Sequence, residues 1–194
     1  MTRRSLVLSA ALCLVAARSA FSTTVIQPSF DELVSKAELI FVGEAVDTRS
    51  VLETRRDGRR IVTIVTFDVS RVIKGSVGIR TQLTFLGGTV GDEAMDIAGM
   101  PKFQVGDRDV LFVSSERSSA SPLIGMWHGR FRVVEDPASG QLLVRSYDGK
   151  PLLLGLDARR PTGVLKPSRG PLVLSEFESA VRQRLAAASD RNRR

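Results

Sequence analysis

Four arginines crowd one short stretch in the first half of the chain, Arg55-Arg-Asp-Gly-Arg-Arg60. Asp-Gly is the preferred centre of a tight hairpin turn, because that turn needs positive φ at both central positions. The four candidate interaction residues, Arg55, Arg56, Arg59 and Arg60, are therefore predicted at one exposed tip. Such a tip could bind anionic lipid headgroups, polyanionic glycans or an acidic protein surface. It could equally be a solvated tip whose charge prevents edge-to-edge aggregation.

The only tryptophan and the only histidine are adjacent, at Trp127 and His128. One histidine with one cysteine, Cys13, cannot form an ordinary zinc site. No Gly-x-Ser-x-Gly nucleophile motif accompanies the histidine, and no pair of carboxylates stands out by spacing. The pair is predicted in a strand, with one side chain in the core and the other on the surface. We therefore predict a non-enzymatic protein with no catalytic residue, no metal and no cofactor.

A glycine-rich stretch, Gly87-Gly-Thr-Val-Gly91, follows a predicted strand and superficially resembles a phosphate-binding loop. It lacks the Gly-Lys-Ser/Thr ending, and no helix follows to supply a phosphate-binding N-terminus. The nearby acids Asp92, Glu93 and Asp96 match no EF-hand register and are too few to hold calcium alone. The interpretation favoured here is a long flexible loop over residues 87–102.

The remaining pattern predicts a mainly β protein. A capping box, Ser29 to Glu32, predicts a short helix over Phe30–Lys36. About six strands follow from alternating apolar residues: 38–47, 60–73, 80–86, 109–114, 124–134 and 141–147. A second capping box at Ser175 to Glu178 precedes a helix with one apolar face. Several strands between two helices indicate a small closed or partly open β-barrel, on which the C-terminal helix packs.

The N-terminal residues predict export. Residues 1–22 combine a positive start, a short apolar run and small residues near position 22, which is typical of a cleaved signal peptide. No membrane-spanning segment is then predicted in the mature protein, which would be periplasmic or secreted. The predicted divisions are a barrel domain over 23–148, an irregular connection plus helix over 149–188, and a basic disordered tail over 189–194. A formal charge of +7, partly in leader and tail, does not indicate a nucleic-acid partner.

Three segments resemble the netrin-like OB-fold family, which includes the tissue inhibitors of metalloproteinases and exported bacterial proteins of the same pattern. They are the Ala-Glu-Leu-Ile-Phe-Val-Gly-Glu-Ala-Val run at 37–46, the Val-Thr-Phe-Asp-Val-Ser-Arg-Val-Ile-Lys-Gly run at 65–75, and the Phe-x-Val-Gly-Asp-Arg-Asp-Val-Leu-Phe-Val run at 103–113. The resemblance covers about residues 28–134 and implies an OB-like barrel. In the inhibitors, the amine and carbonyl of an N-terminal cysteine chelate the protease zinc, and neighbouring loops flank the cleft.

The resemblance implies a protein partner, and a metalloprotease inhibitor is the sharpest form of that hypothesis. Thr23, the predicted first residue of the mature chain, stands where the inhibitors have their cysteine. Thr23 and Thr24 are therefore candidate contacts, with the 49–60 hairpin and the 87–102 loop as flanks. The alternative function is binding of envelope lipid or anionic glycan through the Arg55–Arg60 hairpin.

Overall fold

The sheet and its two helices are built from four stretches of chain. The computed structural model describes residues 28–56, 58–114, 120–149 and 172–192. The signal peptide, Thr23 and Thr24, and most of the predicted connection at 149–171 lie outside the described residues. The elements, in chain order, are α1 (Phe30–Lys36), β1 (Ala37–Arg55), β2 (Gly58–Lys74), β3 (Arg80–Leu86), β4 (Gly88–Val90), β5 (Glu93–Met95), β6 (Arg108–Ser114), β7 (Arg130–Glu135), β8 (Leu142–Ser146), β9 (Leu172–Val173) and α2 (Leu174–Asn192).

Seven strands form one antiparallel sheet in the order β3-β2-β1-β6-β7-β8-β9, and β4 and β5 form a separate two-stranded ladder. This confirms the prediction of a mainly β protein with a helix before the first strand and a second helix at the C-terminal end. The sheet is not closed into a barrel within the described residues. At the end of β3, the backbone N–H of Leu86 donates to the carbonyl of Ala120 over 2.8 Å. Three residues later, Leu123 forms an isolated β-bridge with Val113 of β6.

The β1–β2 hairpin is the longest feature of the sheet. Its ladder continues to the pair Arg55–Gly58, so the first strand is eight residues longer at its end than the predicted 38–47 range. Cross-strand apolar pairs, Val51 with Val62 and Leu52 with Ile61, explain the extension, because such pairs stabilise antiparallel ladders. The predicted 49–60 hairpin is therefore present as an arm that continues the β1–β2 ladder to a tight turn.

The helices cover one side of the sheet, which we call the helix face. The predicted capping box is present: the side-chain oxygen of Ser29 accepts from the N–H of Glu32, and the Glu32 carboxylate accepts from the N–H of Ser29. Phe30 and Phe177 bring α1 and α2 together, with ring centroids 5.6 Å apart, and both rings lie edge-on to Phe112 of β6. This aromatic cluster is the centre of the first hydrophobic core.

A second hydrophobic core lies on the opposite side of the sheet, which we call the loop face. Its rings come from the first three strands and from the segment after β5: Phe41, Phe67, Phe85 and Phe103. Strand β1 supplies both cores, since Ile40 and Val42 contribute to the first core while Phe41 contributes to the second. The sheet is thus buried on both faces near β1.

The second helix begins differently from its prediction. Helix α2 starts at Leu174, so Ser175 lies inside the first turn and the predicted capping box is wrong. Glu178, which that box required at the helix start, is instead buried against Arg71 of β2 and Arg182 one turn later. Phe177 and Val181 are fully buried, as their spacing predicts. The helix also continues to Asn192, past the predicted end at 188.

Neither described helix is long and apolar enough to cross a lipid bilayer.

Candidate functional site

Residues 87–102, predicted as a flexible loop, contain the β4–β5 hairpin, which crosses over the β1–β2 arm. The side-chain oxygen of Thr63 donates to the carbonyl of Gly87 over 2.7 Å, and the N–H of Gly87 donates to the carbonyl of Ile61. A Cβ at Gly88 would lie 2.3 Å from the hydroxyl oxygen of Ser50, and φ there is +138°. Only glycine allows the two hairpins to approach so closely.

The predicted strand at 124–134 begins only at Arg130, so Trp127 and His128 lie in a turn. The expectation that one of them is core and the other surface is therefore wrong, and both are half-buried. Their rings stack on each other with centroids 4.9 Å apart. The Trp127 ring packs on the backbone of Gly99, where a Cβ would lie 2.2 Å from Cζ3. The tryptophan thus joins the turn to the segment after β5.

The start of the described chain lies against the same turn. The ring of Pro28 lies 3.1 Å from the position that a Cβ on Gly125 would take, and the His128 side chain lies beside it. We call the β4–β5 hairpin, segment 97–102 and turn 124–128 together the loop ridge, since Gly99 and Trp127 bring the last two into contact. Pro28 borders one end of this ridge.

The arginine tip, residues 55–60, borders the other end. Arg59 pairs with Glu93 of β5 over 3.5 Å, which ties the tip to the loop ridge. Arg55 and Arg60 both donate to the Glu53 carboxylate, at 3.0 and 2.7 Å. Arg56 is exposed in the turn itself. Three of the four predicted arginines therefore have an acidic partner that the sequence analysis did not consider.

Glu53 is strongly affected by these two guanidinium groups. Hydrogen bonds from Arg55 and Arg60 lower the pKa of Glu53 to about 2. The Glu53 carboxylate thus stays charged at pH values at which an ordinary glutamate is protonated. Part of the positive charge that the sequence places at the tip is consequently neutralised within the hairpin.

A buried ion-pair network holds the base of the loop ridge. Arg130 of β7 is 2% exposed and donates to both oxygens of Asp109 of β6, over 2.9 Å each. It also donates to Asp107 at 2.8 Å and to the carbonyl of Lys102 at 2.6 Å. Its Cζ lies 3.9 Å from the centroid of the Phe103 ring, within the range of a cation–π contact. A single side chain thus connects the sheet to the segment that precedes β6.

Burial and hydrogen bonding shift the pKa values of this network in opposite directions. Burial raises the pKa of Asp109, and the hydrogen bonds from Arg130 act against that shift. Burial also opposes ionisation of Asp107, but the N–H of Gln104 and the Arg130 guanidinium outweigh it and lower the pKa of Asp107. Burial lowers the pKa of Arg130, but the hydrogen bonds and charges of the two carboxylates outweigh it and raise that pKa above its usual value. Arg130 is therefore a buried cation with two acidic partners.

Sequence reasoning missed this network, although a signal for it exists. The two acids at 107 and 109 are separated by one residue, and so are the two arginines at 130 and 132. Asp109 lies opposite Arg132 in the ladder of β6 and β7. Alternate residues of a strand share one face, so two such patterns on neighbouring strands predict ion pairs on that face. The distances, 2.6 Å for Arg132 with Asp107 among them, match this rule.

The acids weighed as a calcium site do not converge. Glu93 faces Arg59, and Asp96 pairs with Lys102 over 3.1 Å. Among the described residues, no group of three or more histidine, cysteine or acidic side chains is placed to hold a metal ion.

No protein-family model, no curated protein and no solved structure matches this chain.

Proposed function

We propose that the protein is an exported, non-enzymatic binding module that holds a protein partner on its loop ridge. The observation that carries the proposal is the convergence of three separate chain segments into one surface. Glu93 meets Arg59 at one end, Gly99 meets Trp127 in the middle, and Gly125 meets Pro28 at the other end. Loops gathered at one end of a rigid sheet are a common location for binding residues.

The position of Pro28 supports a role for the residues before it. Residues 23–27 connect the predicted mature N-terminus to Pro28, and five extended residues can span about 17 Å. An arm of that reach, starting beside His128, could place the amine of Thr23 over a partner that the ridge holds. Metalloprotease inhibition by this amine is the sharpest form of the proposal.

The strand arrangement supports an OB-like interpretation of the sheet. The second core contains residues of β1, β2, β3 and β6, and the Leu86–Ala120 hydrogen bond joins the β3 edge to the chain beside β6. Small barrels of this type commonly bind ligands through loops at one end. This comparison supports a role of the loop ridge in binding.

Binding of an anionic lipid or glycan through the arginine tip is less well supported. Glu53 and Glu93 neutralise part of its charge, because they form ion pairs with arginines of the tip. A phosphate or sulfate group would have to compete with these acids for the same arginines. An electrostatic contact of this kind would weaken steeply with salt. Retention on a sulfated polyanion column that disappears at moderate salt, and in a variant with all four arginines replaced by serine, would favour it.

Affinity capture from the native secretome and envelope tests the proposal. The baits are protein beginning at Thr23, the same protein with one extra N-terminal residue, and an Ala98→Arg variant. Ala98 is exposed in segment 97–102, so the arginine disturbs the loop ridge without repacking a core. Thr84→Arg is the matched control, since Thr84 is exposed on β3, outside the ridge.

The outcomes separate the parts of the proposal. A partner recovered by the first bait and by Thr84→Arg, but lost with Ala98→Arg, supports the loop ridge. A metalloprotease recovered only by the bait with the free Thr23 amine supports inhibition through the N-terminus. A partner recovered equally by all four baits would show that neither the ridge nor the arm is the binding surface.

A further inference from the structure

A cavity of about 330 Å³ lies beneath the β4–β5 hairpin, on the loop face of the sheet. Its volume is at the lower end of the range typical for small-ligand sites, about 300–1,000 Å³. Its floor consists of side chains from the second hydrophobic core: Val65, Phe85, Met100 and Phe103. The two methionines in its lining, Met95 and Met100, are flexible and can adapt to the shape of a ligand.

One wall of the cavity is polar, and the hydrogens on that wall can be assigned. The hydroxyl of Thr63 donates its single hydrogen to the carbonyl of Gly87, which can only accept. The contact between Ser50 Oγ and Thr63 Oγ1, at 3.0 Å, must therefore have Ser50 as its donor. Ser50 has then used its only hydrogen, and its oxygen retains acceptor capacity. The Ser50–Thr63 pair therefore offers hydrogen-bond acceptors and no free hydroxyl hydrogen, whereas Thr89, the third hydroxyl residue of the lining, is exposed.

The mouth of the cavity carries no net charge. Lys102 and Asp96, which both line it, pair with each other over 3.1 Å and are largely exposed. An ammonium or carboxylate group would lose its hydration inside the apolar floor without a buried counter-charge, which is costly. A neutral hydroxyl loses far less and can donate to the free acceptor on the wall.

We propose that this cavity binds a small uncharged molecule with an apolar body and a hydroxyl group, an alcohol or a phenol. The body lies on Phe85, Met100 and Phe103, and the hydroxyl donates to Ser50 Oγ. The cavity lies beneath the loop ridge and shares the β4–β5 hairpin and segment 97–102 with it, and it requires no contact from the arm before Pro28.

Three probes that share a methylbenzene body test the proposal on the whole protein: p-cresol, which donates a hydrogen bond; 4-methylanisole, which only accepts; and toluene, which does neither. Methyl-labelled methionine reports binding by NMR, since Met95 and Met100 line the cavity and Met126 does not. We expect saturable shifts at Met95 and Met100 with p-cresol, and an affinity about fivefold to tenfold lower for the other two probes. Met126 should shift little.

Two substitutions locate the site. Ser50→Ala should lower the affinity for p-cresol to that for toluene and leave toluene binding unchanged, which also shows that the cavity is intact. Ser70→Ala is the matched control, because the Ser70 hydroxyl donates to the carbonyl of Val42 outside the cavity. Ala94→Trp enlarges an exposed lining residue and should abolish binding of all three probes.

Three results would overturn the proposal. The first is the absence of saturable shifts with p-cresol, and the second is equal affinity for p-cresol and toluene. The third is binding of N-acetyltyrosinamide as tight as that of p-cresol, which would mean that the cavity takes a tyrosine side chain of a partner and not a free molecule.

Discussion

Arg130 and Asp109 form a two-fold hydrogen-bonded ion pair across β7 and β6, with 2.9 Å between each nitrogen and its carboxylate oxygen. Both side chains are almost completely buried, at 1% and 0% exposure. Burial of a charge is costly, but removal of one member of such a pair costs more, because the other charge is left without a partner. The pair is therefore a sensitive point in the stability of the sheet.

Replacement of Arg130 by leucine should lower the free energy of unfolding by about 3–5 kcal/mol, because Asp109 would remain buried and unpaired. The double variant Arg130→Leu, Asp109→Leu should recover most of that loss. Urea unfolding followed by circular dichroism measures both. If the double variant is as unstable as the single one, the buried charge is not the cause of the loss.

Loss of the contact between Arg71 and Glu178 should also lower the free energy of unfolding, although Arg71 is partly exposed. Glu178 is 4% exposed, and Arg71→Ala leaves it only the longer contact of 3.7 Å with Arg182. We expect a loss of about 1–3 kcal/mol, since the carboxylate loses its closest charged hydrogen bond. Arg80→Ala, which breaks the exposed pair with Asp68, should cost less than about 1 kcal/mol. Equal losses in the two variants would contradict the role of burial.

Gly99 should tolerate no side chain. Its φ is +75°, and a Cβ would lie 2.2 Å from the Trp127 ring, so Gly99→Ala must displace the tryptophan. The fluorescence of Trp127, the only tryptophan, should shift to longer wavelength as the ring becomes more exposed. Gly106→Ala is the control: φ there is +91°, but no atom lies within 4 Å of the added Cβ. It should destabilise the backbone to a similar degree without any change in the fluorescence spectrum.

The low pKa of Glu53 predicts how the arginine tip responds to acid. Because the folded pKa, about 2, lies below the unfolded value, the pairs with Arg55 and Arg60 contribute to stability above the unfolded pKa. That contribution is lost as the pH falls toward 2. A carbon-13 NMR titration of Glu53 should show a higher pKa in Arg60→Gln, whereas Arg56→Gln should leave it nearly unchanged. A pKa that stays near 2 in Arg60→Gln would exclude Arg60 as a cause.

Local patterns predicted most of the secondary structure. Ser29 with Glu32 gave the bounds of α1, and alternation gave β3 to the residue, because both signals depend only on nearby residues. The strand predicted at 124–134 failed in its first half. There Gly125 and Met126 adopt positive φ, at 60° and 66°, and the chain turns to place Trp127 on Gly99. That contact joins distant segments, which periodicity cannot reveal.

The candidate site was less predictable than the fold. The four arginines were correctly placed at a hairpin tip, but their acidic partners depend on cross-strand register and on the path of β5. Glu53 faces Arg60 because the β1–β2 ladder continues to the turn, which the predicted strand bounds did not reach. The cavity beneath the β4–β5 hairpin depends on two glycines that allow close approach, and composition alone suggested only flexibility.

The meeting of α1 and α2 has a consequence for the order of folding. Asp31 and Arg184 are 153 residues apart in the chain, yet their side chains are 2.6 Å apart. The β1–β2 hairpin, in contrast, pairs neighbours in sequence and can form early, because its loop closure costs little entropy. We expect α2 to dock last during refolding and to detach first in mild denaturant. Amide hydrogen exchange should then be faster across α2 than in the middle of β1, which would make the C-terminal helix a separately unfolding unit of the native protein.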